Sequence, residues 1–339
     1  MSLRLTTETL TLHTRHPFVI ARGGESEYRT LMVKITDGDG VEGWGEAATS
    51  RFYGETADTA AAALHVYAPL LGDDPMQLDA IEQRLESALR RNAAARAAIS
   101  AALHDLVGKR LGVPLWRYWG LDKAAAPRST FTIGIDSPEV VRRKIAEAAE
   151  YPILKVKLGG PHDRDTLRVV REATDREIRV DANCGWTAAQ AVGMLPVLDE
   201  FGVAVLEQPV APADVEGLAH VRRRARIPII ADESCVTAAD IPRVAGAVDG
   251  INIKLAKCGS LREALRMIAV ARAHQMIVMV GCMIESSLGI TAAAHFTPLV
   301  DVVDLDGAAL LRDDPFAGAG IPNGQVTLPD APGLGVTRR

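Results

Sequence analysis

The chain has 339 residues, 48% hydrophobic, 24% charged and only 4% aromatic, so it can bury a large core; a short single-core module, a disordered chain and a fibrous repeat are excluded. Its formal charge of −5, with lysines and arginines scattered among the acids, leaves no electrostatic footprint for nucleic acid or an anionic membrane. The expected partner is a small molecule. The opening residues, MSLRLTTETLTLHTRH, alternate like a strand and lack the pattern of a signal peptide. The longest apolar run, Met276 to Ile284, falls far short of the ~20 residues that cross a bilayer. A cytoplasmic protein is expected, with Cys184, Cys235, Cys258 and Cys282, irregularly spaced and without a CxxC, as reduced thiols.

In chain order, residues 1–125 read as an α+β domain. Alternation at Thr30 to Ile35 and the turn residues Asp37-Gly38-Asp39-Gly40 mark a hairpin. Helix-period alanine and leucine runs follow at about 57–70, 76–90 and 92–111, the last stopping near Gly112 and Pro114. From Thr130 the register changes, and eight β-rich runs each precede a helical stretch: FTIGI, LKVKL, IRVDAN, VAVLEQP, IPIIADE, GINIKL, IVMVGC and VVDLDG. Such parallel βα units close into a barrel over 126–312. Ser137-Pro138 opens the first of the helices with a cap residue and a first-turn proline. An open doubly wound sheet is disfavoured because no GxGxxG follows the first strand. The Gly- and Pro-rich tail, 313–339, is expected to run back against the first domain.

A barrel gathers its site at the C-terminal ends of its strands. Those ends supply Thr132 on the first; Lys155 and Lys157 on the second; Asp181 and Asn183 on the third; Glu207 on the fourth; Asp232 and Glu233 on the fifth; Lys254 on the sixth; Cys282 on the seventh; and Asp304 and Asp306 on the eighth. Asp181, Glu207 and Asp232 recur about every 25 residues, so they should converge on one arc of the mouth. Three converging carboxylates repel unless a cation joins them, and all-oxygen ligands suit a hard divalent ion, Mg²⁺ first and Mn²⁺ second. Lys155 and Lys157, two apart on a strand, share a face. Their mutual repulsion and the metal are expected to lower their pKa values towards a working base. Lys254, four strands away in a ring of eight, should face Lys157 from the opposite wall. Two lysines across a cavity suit removing a proton from one face of a carbon and returning one to the other, with the metal holding the enolate.

The set Lys155-x-Lys157, Asp181-x-Asn183, Glu207-Gln208-Pro209, Asp232-Glu233-Ser234 and Asn252-Ile253-Lys254 resembles the enolase superfamily, muconate-lactonizing-enzyme subgroup. The resemblance covers nearly the whole chain. It implies an α+β capping domain on a (β/α)₇β barrel, Mg²⁺ on Asp181, Glu207 and Asp232, Lys157 and Lys254 as the acid/base pair, and Lys155 as a stabiliser of the enolate. Lys257-Cys258-Gly259-Ser260 departs from a more usual Lys-x-Gly-Gly, a difference expected to touch a loop and no chemical group.

The eighth strand selects among the subgroup's reactions. Asp304-x-Asp306 puts two carboxylates on one face, suited to a substrate α-ammonium. It is similar to the Asp-x-Asp of dipeptide epimerases. In the first domain, HTRHPFVIARGGESEYRT, with Arg22, and SRFYGET, with Tyr53, resemble the capping loops of L-Ala-D/L-Glu epimerases. That resemblance makes Arg22 a partner for a side-chain carboxylate, and Tyr53, Thr132, Cys282, Met283 and Ile284 substrate-lining positions. A flexible loop around 21–29 is expected to close over the substrate. The expectation is therefore an isomerase acting at the α-carbon of a dipeptide's C-terminal residue, with L-Ala-D/L-Glu the favoured substrate and another dipeptide the alternative, in a chain that leaves a homo-oligomer open. A cycloisomerase or o-succinylbenzoate synthase needs no ammonium site; a Schiff-base aldolase needs no metal; a non-catalytic barrel needs neither lysines nor ligands.

Overall fold

A computed structural model describes residues 2–339. The chain opens with a long antiparallel hairpin, β1 (Arg4–Ile20) against β2 (Gly23–Thr36), to which β3 (Glu42–Ala47) adds a third strand. Asp37 Oδ1 fastens the β2–β3 turn by accepting from Asp39 N at 2.9 Å and Val41 N at 3.0 Å. Alternate residues of β2 enter two different cores. Leu31, Val33 and Ile35 pack with the cap helices, whereas Met32, with Leu10 and Leu12 of β1, packs with the barrel. Both faces of the sheet are therefore covered.

Three helices fill the first of those cores: α1 (Ala57–Tyr67), α2 (Leu78–Ala88) and α3 (Ala93–Leu111). Thr56 and Thr59 close a capping box on α1, and Gly112, at φ +70°, ends α3. α3 lies with its backbone directly on β3, because β3 carries glycine at the two points of closest approach. A Cβ at Gly43 or Gly45 would collide with the carbonyls of Ala102 or Ala98.

The eight expected runs form eight parallel strands: β4 (Phe131–Ile133), β5 (Ile153–Lys157), β6 (Glu177–Asp181), β7 (Val203–Glu207), β8 (Ile229–Ala231), β9 (Gly250–Ile253), β10 (Ile277–Gly281) and β11 (Val302–Asp304). Neighbours in sequence are neighbours in the sheet, and a parallel bridge between Ser129 and Val303 joins its two edges into a ring. A helix follows each strand but the last; the first, Pro138–Glu147, starts on Ser137 Oγ as expected. Inside the ring, Ile230, Met279 and Val302 form a small apolar plug. Two residues on from these along their strands stand Asp232, Gly281 and Asp304, so the same inward face turns polar at the mouth.

Glu46 of β3 crosses from cap to barrel, accepting from Ser286 N at 3.2 Å and Gly289 N at 3.1 Å at the start of the helix Ser287–Ala294. The tail touches both parts: Leu334 N donates to Asp105 of α3 at 2.7 Å, and Ser129 N donates to the Gly324 carbonyl at 2.7 Å. Arg338, in the short strand Thr337–Arg338, pairs with Glu8 of β1 at 2.5 Å. The 21–29 segment is not a loop. β2 begins at Gly23, with Ile20 opposite Gly23 and Val19 opposite Gly24, so only Ala21 and Arg22 form the turn. Among the described residues no helix is long and apolar enough to cross a membrane.

Gly45→Ala is expected to destabilise the protein by about 1–3 kcal/mol through forced separation of α3 from β3. Gly193→Ala, in the helix Ala188–Glu200 with open space around its Cβ, should instead raise stability by up to about 1 kcal/mol. Urea midpoints of the two variants, moving in opposite directions, check this.

Candidate active site

Asp181 ends β6, Glu207 ends β7, and Asp232 follows the last residue of β8. Parallel registry puts Asp181 beside Glu207 and beside Lys157. One oxygen from each of the three acids lies within 4.8 Å of the others, and all three residues are buried. Such a cluster repels itself strongly in a low-dielectric interior, so cations must compensate it. Lysines do so. Lys155 Nζ stands 2.7 Å from Glu207, 3.3 Å from Asp181 and 2.6 Å from Asp304. Lys157 Nζ is 2.7 Å from Asp181, and Lys254 Nζ is 2.7 Å from Asp232.

The donor set fits a hard divalent cation: all oxygen, three negative charges, and orienting partners behind the ligands. Asn183 Nδ2 donates to Asp181 at 3.1 Å and Asn252 Nδ2 to Glu207 at 2.7 Å. Each amide keeps its own oxygen buried without a hydrogen-bond partner, as does Glu233 Oε2. Electron-rich oxygen is thus in excess at this mouth.

The electrostatics correct one expectation. Burial favours the neutral amine of Lys155, but Asp304, Glu207 and Asp181 outweigh it and hold the ammonium well above its usual range. Lys254 is raised in the same way, burial being overcome by Asp232 and Glu207. For Lys155 this is the reverse of the lowering expected from repulsion by Lys157. Burial opposes ionisation of Asp181, but Lys157 and Lys155 draw it below the usual carboxylate range. Asp232 is lowered likewise, burial yielding to Lys254 and Lys257. Burial and the charge of Asp181 push Glu207 up.

At the eighth strand the two aspartates differ. Asp304 is engaged by Lys155 and by the Thr130 hydroxyl. Asp306 accepts from the backbone N–H of Thr132 at 2.5 Å and, among the described residues, meets no cation at ion-pair distance. Burial and the neighbouring Asp304 push Asp306 up to about 7. Cys282, just past β10, lies close to Gly307 beside this pair, and half-buried Met283 follows it. Ile284 turns into the hydrophobic core instead.

From the cap, the turn residue Arg22 reaches the mouth. Its Nη1 lies 2.8 Å from Glu233 and donates to the Asn183 carbonyl at 2.6 Å, while its guanidinium stacks 4.2 Å over the Phe52 ring. Burial, then the charges of Asp232 and Glu233, raise the phenol of neighbouring Tyr53.

Two residues in the site carry roles that sequence patterns did not assign. Gln208, at φ +33°, accepts from Asp232 N at 2.9 Å and Ser234 N at 3.0 Å and donates to the Val210 carbonyl at 2.8 Å, fastening the β7 loop to the β8 loop. Its position in Glu-Gln-Pro, next to a ligand, was the available signal. Lys257, to which no role was assigned, is buried against Asp232. A turn immediately after β9 folds it back under the mouth, and no period-2 pattern marks that.

Residues 139–339 match the enolase C-terminal domain-like family, and residues 4–120 the mandelate racemase/muconate lactonizing enzyme N-terminal domain. The chain belongs to this enolase-superfamily family. It is 43% identical over 329 residues to the L-Ala-D/L-Glu epimerase of Bacteroides thetaiotaomicron, covering 96% of this chain and 86% of that one. It superposes with a TM-score of 0.95 on the dipeptide epimerase of Cytophaga hutchinsonii in complex with Mg and D-Ala-L-Val, at 29% identity and with 100% and 96% of the two chains covered. A substrate-liganded L-Ala-D/L-Glu epimerase from Bacillus subtilis matches at TM-score 0.94 and 31% identity, over 99% of this chain and 98% of that one.

Glu207→Gln removes one of three charges on which an ion would depend. Calorimetric titration with MgCl₂ is expected to show affinity falling by more than the ~10- to 100-fold that loss of an outer partner costs.

Proposed function

We propose that this enzyme, an isomerase of the dipeptide-epimerase kind with Mg²⁺ as its cofactor, inverts the α-carbon of the C-terminal residue and takes L-Ala-D/L-Glu as its favoured substrate. The observation that carries the reading is the arrangement of Lys157 and Lys254. They stand on strands four apart in a ring of eight, each against a different carboxylate of the triad. A substrate carbon held between them is reached from both faces.

Asp181, Glu207 and Asp232 would hold the ion, which would supply positive charge for the substrate carboxylate. One lysine accepts the Cα proton and the other, protonated, delivers one to the opposite face; the roles exchange with reaction direction. Lys155, held by Asp304, is placed to stabilise negative charge gathering on the carboxylate as the proton leaves. The α-ammonium is assigned to Asp306 together with Asp304. Among the described residues only Nη1 of Arg22 makes a hydrogen bond, so Nε and Nη2 keep donors for a bidentate grip on a glutamate side chain. The resemblance to named L-Ala-D/L-Glu epimerases agrees with that choice. A role in salvaging cell-wall peptides, in the cytoplasm, follows from this substrate.

Proton NMR of L-Ala-L-Glu in D₂O tests the reading: with Mg²⁺, the α-proton signal of the glutamate residue should disappear as the other diastereomer grows in, and excess chelator should stop both. Lys157→Ala and Lys254→Ala should each abolish epimerisation, and activity retained in either variant overturns the assignment. No exchange with any dipeptide would favour a cycloisomerase and leave Asp304 and Asp306 as structural acids.

The ammonium site also sets a pH dependence. Asp306 becomes charged as pH rises through about 7, which strengthens its hold on a cationic amino group. The amino group itself loses its proton near pH ~8. KM should therefore pass through a minimum between those values, and Asp306→Asn should raise KM and remove its acid limb.

A further inference from the structure

Lys257 sits three residues beyond Lys254, in the single helical turn Leu255–Cys258 that begins as soon as β9 ends. Its own N–H donates back to the Lys254 carbonyl at 2.9 Å, and Gly259, at φ +88°, terminates the turn. This tight reversal sends the side chain inward, where it is fully buried. Its ammonium is surrounded by four acceptors: Asp232 Oδ1, the Asp232 carbonyl at 2.6 Å, the Asn252 carbonyl at 2.9 Å and the Cys235 carbonyl at 3.1 Å. They come from the end of β8, from the loop after it and from β9. An ammonium offers three protons, so every donor is satisfied.

Asp232 therefore has two cations, and they differ in how they are held. Lys254 touches it through Oδ2 alone, at 2.7 Å. Proton transfer asks Lys254 to face a substrate carbon, and that contact is then given up. Lys257 has no such freedom, being tied to three stretches of backbone. It meets Asp232 through Oδ1 and leaves Oδ2, the oxygen that faces Lys254, for an ion.

We infer that Lys257 is a positioning residue that holds Asp232 as a one-oxygen metal ligand while Lys254 moves in catalysis. The inference rests on the metal-bearing reading of the triad given above. It does not depend on which substrate is turned over. Lys257 reaches the ion through Asp232, so its effect on metal affinity should exist only while Asp232 does.

The experiment is calorimetric titration of the purified protein with MgCl₂ and no dipeptide. Lys257→Met is expected to weaken Mg²⁺ binding by on the order of 10- to 100-fold, the range for loss of an outer-shell partner. In the Asp232→Asn background, titrated at millimolar Mg²⁺, the same substitution should change affinity by less than about twofold. Lys257→Gln, which keeps a donor for the carbonyls but no charge, replaces the methionine variant if that one does not fold, and carries the same expectation. A folded Lys257 variant that binds Mg²⁺ within about twofold of the parent overturns the inference, as does an equal loss in the Asp232→Asn background, which would mean a general loosening of the barrel. Because no dipeptide is present, a failure of the proposed epimerisation leaves this result readable on its own.

Discussion

Three carboxylates brought within 4.8 Å of one another in a buried mouth set the terms for everything around them. Like charges at that separation are tolerated only if opposite charge comes equally close, and the barrel provides it from every side. Lys155 spans Glu207, Asp181 and Asp304; Lys157 takes Asp181; Lys254 and Lys257 divide the two oxygens of Asp232.

The plan of the site was legible because a parallel strand reports its inward face through a period of two. Asp181, Glu207 and Asp232, and Lys155 with Lys157, could be placed from strand ends alone, and the structure brings them together. What escaped belongs to segments without a period. Lys257 reaches the site because a one-turn helix reverses the chain after β9, and Gln208 because a left-handed backbone turns its amide onto the next strand's loop. The 21–29 segment misled in the opposite direction. Its Gly23-Gly24 and polar run read as a loop, yet backbone pairing to Val19 and Ile20 carries the hairpin almost to its tip. The charge of Lys155 was misjudged because its repulsion with Lys157 was weighed without the acids that meet it from three other strands.

The cap is joined to the barrel by a sheet whose two faces belong to different cores. Leu31 and Val33 cannot shift without disturbing the helices, nor Met32 without disturbing the barrel. Glu46, holding the start of the helix Ser287–Ala294, and the tail, reaching both Asp105 and Ser129, add polar ties at separate points. Packing and polar contacts thus join the two parts at several points, and the cap presents Arg22 and the turn carrying Phe52 and Tyr53 to the mouth.

That two-faced sheet also divides the molecule by how freely it can change over generations. The alternating residues of β2 are each held by one core or the other, whereas Arg22, Phe52 and Tyr53 project from turns beyond either core. Substitution there changes the lining of the mouth while leaving the packing of both cores in place. Descendants of such a chain can vary at the rim while inheriting the barrel strands unchanged.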